Sequence, residues 1–360
     1  MRKGGTFYLR EIRNLREKID QLDNQLLRIF NRRAGLAIKI GKEKSKQGGD
    51  NHFHVPHRER EIIGRLKKIN KGPFPDSSIE AVFREIFSAT LALEKALKIA
   101  YLGPETTFAH QAAIKQFGHS ALFSPQKSID AVFSEVEQGR ADYGVTPIEN
   151  STEGVINRTL DCFVDSPLLI CEEIKMGISL YLLSKAQSRK EIRVIYSHPN
   201  PLAQCRAWLA QNLPDAEQVE TFSTAEAAAK AKKDETSAAI SGKLAAEFYQ
   251  LNILAEKIED RVENFTRFLV IGKEKTRKAR QNKTSIMFSI KDQTGALLKT
   301  LQLFARRDIN LTKIQSRPLR NRPWEYLFYL DFEGHMEDEA ISKVIEALRR
   351  RCLFLKVLGS

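Results

Sequence analysis

Two polar clusters set in apolar surroundings carry hydroxyl, amide and charged side chains that could line a binding site. Asn264-Phe265-Thr266-Arg267-Phe268 places a hydroxyl and a guanidinium between two aromatics, just ahead of the apolar run Leu269-Val270-Ile271. Burying either group beside aromatic rings is costly unless it finds a partner, so the stretch predicts a lined, water-poor site. Candidate partners lie far upstream in Pro147-Ile148-Glu149-Asn150-Ser151-Thr152-Glu153-Gly154, directly after the strand-like Tyr143-Gly144-Val145. Either cluster alone also fits a capped loop.

A third set of charges sits on helical stripes. From about Tyr8 to Lys46, Leu15, Ile19, Leu22, Leu26, Ile29, Phe30, Ala37 and Ile40 recur at steps of three and four with no proline between them, which predicts one long helix. Its length of about 60 Å exceeds what one small domain can cover, so a helical dimer is expected. Arg33 continues the stripe and Lys44 lies on the same line. A buried charge there requires an ionic partner. A second helix is expected from Arg58 to Ile69. A third follows the turn at Gly72-Pro73 and Pro75-Asp76-Ser77-Ser78, with Ile79, Phe83, Ile86, Thr90, Glu94 and Leu97 along one face. His52, His54 and His57 lack helical spacing in a short flexible stretch and do not indicate a metal site.

The elements that position the two central clusters read as alternating α/β structure from Ile99-Ala100-Tyr101-Leu102 onward. Strand-like runs fall at Tyr143 to Val145, Ile178 to Leu183, Val194 to Tyr196 and Ala238 to Ile240. Helical runs fall at Ala109 to Phe117, Ser128 to Gln138, Leu202 to Gln211 and Ala225 to Lys232. Neither a Gly-x-Gly-x-x-Gly fingerprint nor a phosphate loop occurs, so no nucleotide cofactor is indicated. Beyond the basic run Lys273 to Arg280, Ser285 to Ile290, Ile309 to Ile314, Tyr326 to Phe332 and Leu353 to Val357 read as strands. Ala296 to Arg306 and Glu339 to Arg350 read as helices, completing a βαββαβ order that by itself names no function.

With 360 residues and 42% hydrophobic content, the chain suits two or three globular domains. Its net charge of +13 would allow nucleic-acid binding, but lysine and arginine are spread through every segment rather than gathered with aromatics. No nucleic-acid partner is expected, and the basic surface suits small anions. No run approaches a membrane span, and no apolar core follows Met1-Arg2-Lys3-Gly4-Gly5. Cys162, Cys171, Cys205 and Cys352 are scattered without a Cys-x-x-Cys pair, which predicts reduced thiols and a cytoplasmic protein.

Four ordered motifs make residues 100–272 similar to a prephenate dehydratase domain: Gly103-Pro104-Glu105 with Thr107-Phe108, then Pro147 to Ser151, Ser197-His198-Pro199 with Gln204-Cys205, and Thr266-Arg267-Phe268. The flanks resemble all-helical chorismate mutase and a regulatory ACT domain, so the chain resembles the bifunctional P-proteins of phenylalanine biosynthesis. The resemblance implies an all-α mutase domain at 6–97, a two-lobed α/β dehydratase domain of periplasmic-binding-protein type at 98–272, a linker at 273–283 and an α+β ACT domain at 284–360.

In the mutase domain it implies that chorismate is held by Arg16, Arg33, Lys44, Arg58, Glu59, Thr90 and Glu94. Arg16 would reach in from a second subunit, Lys44 would contact the ether oxygen and Glu59 the substrate hydroxyl. Glu94 stands where relatives often carry glutamine, and a carboxylate there assists only when protonated, so the mutase is expected to favour acidic pH. Val55 replaces an acidic residue of some relatives. For prephenate the resemblance implies Thr266 as donor to the departing hydroxyl, with Glu149, Asn150, Ser151, Ser197 and Gln204 as contacts. Arg267 is either a carboxylate ligand or a structural partner of Glu149, and His198 is either an acid or a turn-fixing residue. Thr106 stands in a glycine position and Ala109 in a serine position. Gly295-Ala296-Leu297 and Gln315-Ser316-Arg317, the latter followed by Pro318, resemble the effector segments of phenylalanine-sensing ACT domains, with Gln315 replacing glutamate. No metal or organic cofactor is implied. L-phenylalanine is the expected effector and a homodimer, with pairing to a tetramer left open, the expected assembly. A catalytically silent amino-acid sensor is the rival reading, which Thr266 and the complete arginine set disfavour.

Overall fold

The computed structural model describes residues 4–46, 56–152, 154–261, 263–279, 282–318 and 326–360; the side chains of 4–9 and 44–46 also lie outside the description. Two compact units divide the chain, one formed by Met1–Leu97 with Phe117–Ala121 and the other by the remainder.

The first unit is helical, with α1 (Gly4–Lys46), α2 (Pro56–Ile69) and α3 (Asp76–Ala92). With neither proline nor a strong breaker inside it, α1 runs unbroken for 43 residues. The turn into α3 is fixed by Asn70, whose Nδ2 donates to Phe74 O (2.8 Å) and Asp76 Oδ1 (2.7 Å). In contrast to the sequence expectation, α3 stops at Ala92, before Glu94 and Leu97. The amides of Glu94 and Lys95 both return to Leu91 O (2.9 Å each), so Glu94 sits in a tight turn rather than on the helix face.

The second unit begins with β1 (Lys98–Leu102), α4 (Phe108–Phe117), β2 (Leu122–Gln126), α5 (Ile129–Glu137), β3 (Tyr143–Asn150), β4 (Gly154–Val155), α6 (Asn157–Asp165) and β5 (Leu169–Gly177). There follow β6 (Tyr181–Ser184), β7 (Val194–Ser197), α7 (Pro199–Gln204), α8 (Arg206–Asn212), β8 (Glu217–Glu220), α9 (Thr224–Ala231), β9 (Ser237–Ser241), α10 (Lys243–Tyr249), β10 (Asn252–Ala255) and β11 (Phe265–Gly272). One sheet has the order β2-β1-β3-β11-β5, with β4 against β3, and a second has the order β10-β6-β9-β7-β8. The chain thus leaves the first lobe after β5 and returns to it at β11, which gives the expected two-lobed arrangement. The crossing segments are tied together by Ile178 N to Asn264 O (2.8 Å) and Ile258 N to Leu180 O (3.0 Å). Residues 178–180, expected within a strand, therefore belong to a crossing.

The expected single helix from Leu202 to Gln211 is likewise broken at Cys205. The Asp260 carboxylate accepts the Ala207 and Trp208 amides (2.9 and 3.0 Å) and starts α8 afresh.

The chain ends with β12 (Lys283–Ser289), α11 (Ala296–Ala305), β13 (Leu311–Pro318), β14 (Tyr326–Glu333), α12 (Glu339–Arg349) and β15 (Phe354–Gly359). These form an antiparallel sheet of order β13-β14-β12-β15. One face of this sheet, with Ile286, Phe288, Leu330 and Phe332, packs under α11 and α12. Its other face contributes Met287, Leu327, Tyr329 and Leu358 to the same core as Phe133, Leu160, Phe163 and Leu269 of the first lobe.

Candidate active sites

Thr266, the second residue of β11, lies opposite Asn150, which closes β3, so the antiparallel register alone brings the two together. The Asn150 amide donates to Thr266 Oγ1 (2.8 Å) and to Asn264 Oδ1 (3.2 Å). Asn264 Nδ2 donates to Gln204 Oε1 (2.9 Å), Gln204 Nε2 to Thr152 Oγ1 (3.0 Å), and Thr152 N to Asn150 Oδ1 (2.9 Å), which closes a ring. Thr266 is only 7% exposed. A hydroxyl has one proton to give, and among the described residues no acceptor takes that of Thr266, while Asn150 donates to its oxygen. Ser151 serves the backbone instead, accepting from Phe265 N (2.9 Å) and donating to Glu263 O (3.3 Å).

A cavity of about 360 Å³ opens beside this ring, lined by Thr152, Asn200, Ala203, Gln204, Glu259, Asp260, Arg261 and Asn264. Ser197 does not present its hydroxyl there: it is fully buried and donates to Ile240 O (2.7 Å). His198 accepts from Asn200 N (3.3 Å) and caps α7, the turn-fixing role. Thr106 has φ +67°, the left-handed region that makes glycine usual at this place. Asn264 and Thr152 were absent from the expected contacts. Each lies two residues from an expected one, on the same strand face or turn, and that spacing is the signal that could have found them.

Arg267 is ion-paired within the protein, with Glu149 among its partners. Adjacent residues of a strand face opposite ways, and Arg267 turns from the ring toward the C-terminal sheet. It pairs with Glu149 (3.0 Å), Glu173 (2.8 Å) and Asp331 (3.0 Å). Lys313 also holds Glu149 (2.8 Å), Lys283 pairs with Glu173, and Ser285 donates to Asp331 (2.6 Å). Burial alone would lower the Arg267 pKa, but Asp331 and Glu149 outweigh it and raise it. Burial would raise that of Glu149, but Lys313 and Arg267 outweigh it and hold the carboxyl below its usual range. These charges compensate one another at the join between first lobe and C-terminal sheet.

In the helical unit Arg33 donates to Thr90 Oγ1 (2.9 Å) and lies over the Phe87 ring at 5.1 Å, while Thr90 donates to Ile86 O (2.6 Å). Burial lowers the Arg33 pKa and Glu59 partly restores it. Glu59 pairs with Arg84 (3.1 Å), a half-buried partner that the helical stripes did not single out. Glu94 lies against Gly41, where a Cβ would come within 2.4 Å of its Oε2, so a side chain at Gly41 would oblige this carboxylate to move. Arg58 is exposed and pairs with Glu61 (3.1 Å). Arg16 is exposed on α1 about 25 Å along the helix from Arg33, too far to join the same site within one chain. The Lys44 side chain, His52, His54 and Val55 lie outside the described residues, and His57 lies in α2.

The expected effector residues separate by strand alternation. Gly295 has φ +78° and starts α11, which Ala296 and Leu297 continue. On β13, Lys313, Gln315 and Arg317 are half-buried while Ile314 and Ser316 are exposed. Arg317 donates to Asn157 O (2.6 Å) and pairs with Asp161, both on α6 of the first lobe. The Gln315 amide donates to Ser316 O (3.4 Å).

A cleft enzyme whose polar ring holds a hydroxyl ready to donate, joined to an antiparallel α+β sheet and preceded by a charged helical unit, is a multidomain catalyst for small anionic metabolites. Comparison with known proteins narrows this class. Residues 15–95 match the family model of chorismate mutase type II, residues 99–276 that of prephenate dehydratase and residues 284–350 that of the ACT domain. The chain is 48% identical to the bifunctional chorismate mutase/prephenate dehydratase of Aquifex aeolicus over 98% of both chains. It is 42% identical to that of Pseudomonas aeruginosa over 97% of both. A prephenate dehydratase from Arthrobacter aurescens, solved in complex with L-Phe, superposes with TM-score 0.68 at 32% identity, covering 73% of this chain and 89% of that one. The chain belongs to the bifunctional chorismate mutase/prephenate dehydratase family and carries the enzyme domains of both activities.

Proposed function

We propose that the helical unit converts chorismate to prephenate and that the two-lobed unit converts prephenate to phenylpyruvate, carbon dioxide and water, in the cytoplasm and under feedback by L-phenylalanine. The first reaction is a pericyclic shift without proton transfer, so catalysis consists of gripping the compact dicarboxylate and stabilising charge at the ether oxygen. Arg33, presented by Thr90 and Phe87, holds a carboxylate, while Glu59, kept in place by Arg84, takes the substrate hydroxyl. Arg16 completes the site of a second copy, and Lys44 and protonated Glu94 serve the ether oxygen. Arg58 belongs to the rim of this site. The exposed stripe of α1, with Leu22, Leu26 and Ile29 each about half uncovered, supports a homodimer.

The observation that carries the dehydratase reading is the Thr266 hydroxyl, which accepts from Asn150 and, among the described residues, donates to no acceptor. Loss of hydroxide and carbon dioxide from the prephenate dianion consumes one proton, and Thr266 gives or relays it at the departing oxygen. Asn150, Gln204 and Asn264 orient the ring, Ser151 fixes the strand beside it, and Glu149, Arg267 and Ser197 hold the framework. Regulation is supported by the ion cluster at Arg267, which fastens the strand bearing Thr266 to the C-terminal sheet. Effector held at Gly295, Ala296, Leu297 and Ser316 thereby has a covalent neighbour of the catalytic hydroxyl to act on, with Gln315 and Arg317 on the side facing the first lobe.

Thr266→Ala tests the central assignment. Dehydratase kcat is expected to fall by about a hundredfold or more, Thr266→Ser to recover part of it, and mutase activity to persist. Unchanged dehydratase turnover in Thr266→Ala would contradict the proposal.

A further inference from the structure

Arg267 was the candidate to hold a substrate carboxylate, yet all its ion pairs are made at the opposite face of β11. The ring formed by Thr266, Asn150, Thr152, Gln204 and Asn264 is uncharged. A site for a dianion that offers only amides and hydroxyls lacks its strongest recognition element, a charge-assisted hydrogen bond.

The cavity beside the ring supplies one. Among its described lining residues Arg261 is the one cation, sharing the wall with Thr152, Gln204 and Asn264. It lies on the segment that returns from the second lobe, five residues before Thr266, and its side chain is exposed. Among the described residues no carboxylate takes it as an ion-pair partner. The two acids of the same wall are turned to backbone amides: Glu259 accepts from Leu180 N (2.9 Å), and Asp260 from Ala207 and Trp208 N.

We infer that Arg261 is the cation of the dehydratase site and that it binds the pyruvyl side-chain carboxylate of prephenate; the inference rests on the placing of dehydratase activity in this lobe pair. The choice between the two substrate carboxylates follows from the chemistry. The ring carboxylate leaves as neutral carbon dioxide, and a guanidinium gripping it would stabilise the ground state against that loss. The side-chain carboxylate survives unchanged into the product and is the one a permanent cation can hold throughout.

The test uses Arg261→Gln and Arg261→Lys in the full-length chain, with mutase activity and circular dichroism reporting that each is folded. Arg261→Gln is expected to raise KM for prephenate about ten- to a hundredfold with kcat nearly unchanged. Arg261→Lys should recover part of the loss, since it keeps the charge without the planar fork. Phenylpyruvate, which retains the gripped carboxylate, should lose affinity as an inhibitor by a similar factor. Unchanged KM in Arg261→Gln, or a fall in kcat alone, overturns the inference. Weakened prephenate binding with undiminished phenylpyruvate inhibition overturns the choice of carboxylate. If Arg261→Gln is misfolded, an unchanged KM in Arg261→Lys, where the bidentate fork is lost, overturns it equally. Failure of the unmodified chain to form phenylpyruvate is a separate result and removes the dehydratase reading itself.

Discussion

A threonine hydroxyl is a weak acid, and what distinguishes Thr266 is the company it keeps. Asn150 donates to it, so its oxygen is aligned and its proton is left for a ligand. This was legible because a hydroxyl before an apolar run demands a partner. The fate of Arg267 was not, because its partners Glu173 and Asp331 are brought to it only by the pairing of strands distant in the chain. Glu94 illustrates the same limit in the helical unit. Its residue type was plain, but its seat in a turn against Gly41 depends on how α3 ends. In the role proposed for it, an ionised Glu94 would repel the negative charge that grows on the ether oxygen, and only its protonated form would assist. Mutase kcat/KM is therefore expected to rise toward acidic pH, and Glu94→Gln to flatten that profile. A mutant profile with the same slope as the parent would count against this role.

Among the elements, α1 was the most legible, because a three-four apolar period over so many residues has one solution. What a single chain cannot do is cover it. Leu15, Ile19, Leu22, Ile29 and Ile40 remain more than half exposed, and α2 and α3 have only 14 and 17 residues with which to shield a helix of 43. On the proposed homodimer, a second α1 would meet that need and deliver Arg16 to the site it cannot reach in its own chain. Leu26→Glu, a charge in the middle of the stripe, is expected to give monomers in sedimentation equilibrium and to lower mutase activity by about a hundredfold as Arg16 is lost. A stable dimer with full activity would contradict the shared site. The strands were less legible where tertiary structure overrides pattern. In β5 the charges of Glu172, Glu173 and Lys175 break the apolar alternation, and Glu173 is tolerated because Arg267 and Lys283 neutralise it. The split between α7 and α8 depends on Asp260, more than fifty residues away in the chain.

At the scale of the molecule, three stretches of sequence fold into two compact units, because the C-terminal sheet shares a core with the first lobe of the dehydratase domain. Motifs and element order revealed the three stretches, but a face-to-face packing of sheets has no local signature and could not be read in advance. The consequence is that the C-terminal sheet is part of the support of the strand that bears Thr266. Lys356, for example, reaches from β15 to Phe163 O (2.8 Å) at the end of α6. We therefore propose one chain with two consecutive activities and a regulator fastened to the second. The direct measurement is to supply chorismate alone to the purified protein and follow prephenate and phenylpyruvate over time, with and without L-phenylalanine. The prediction is that prephenate appears transiently, that phenylpyruvate accumulates, and that L-phenylalanine holds back phenylpyruvate so that prephenate builds up. Chorismate left untouched, with prephenate equally inert when offered directly, would contradict the account.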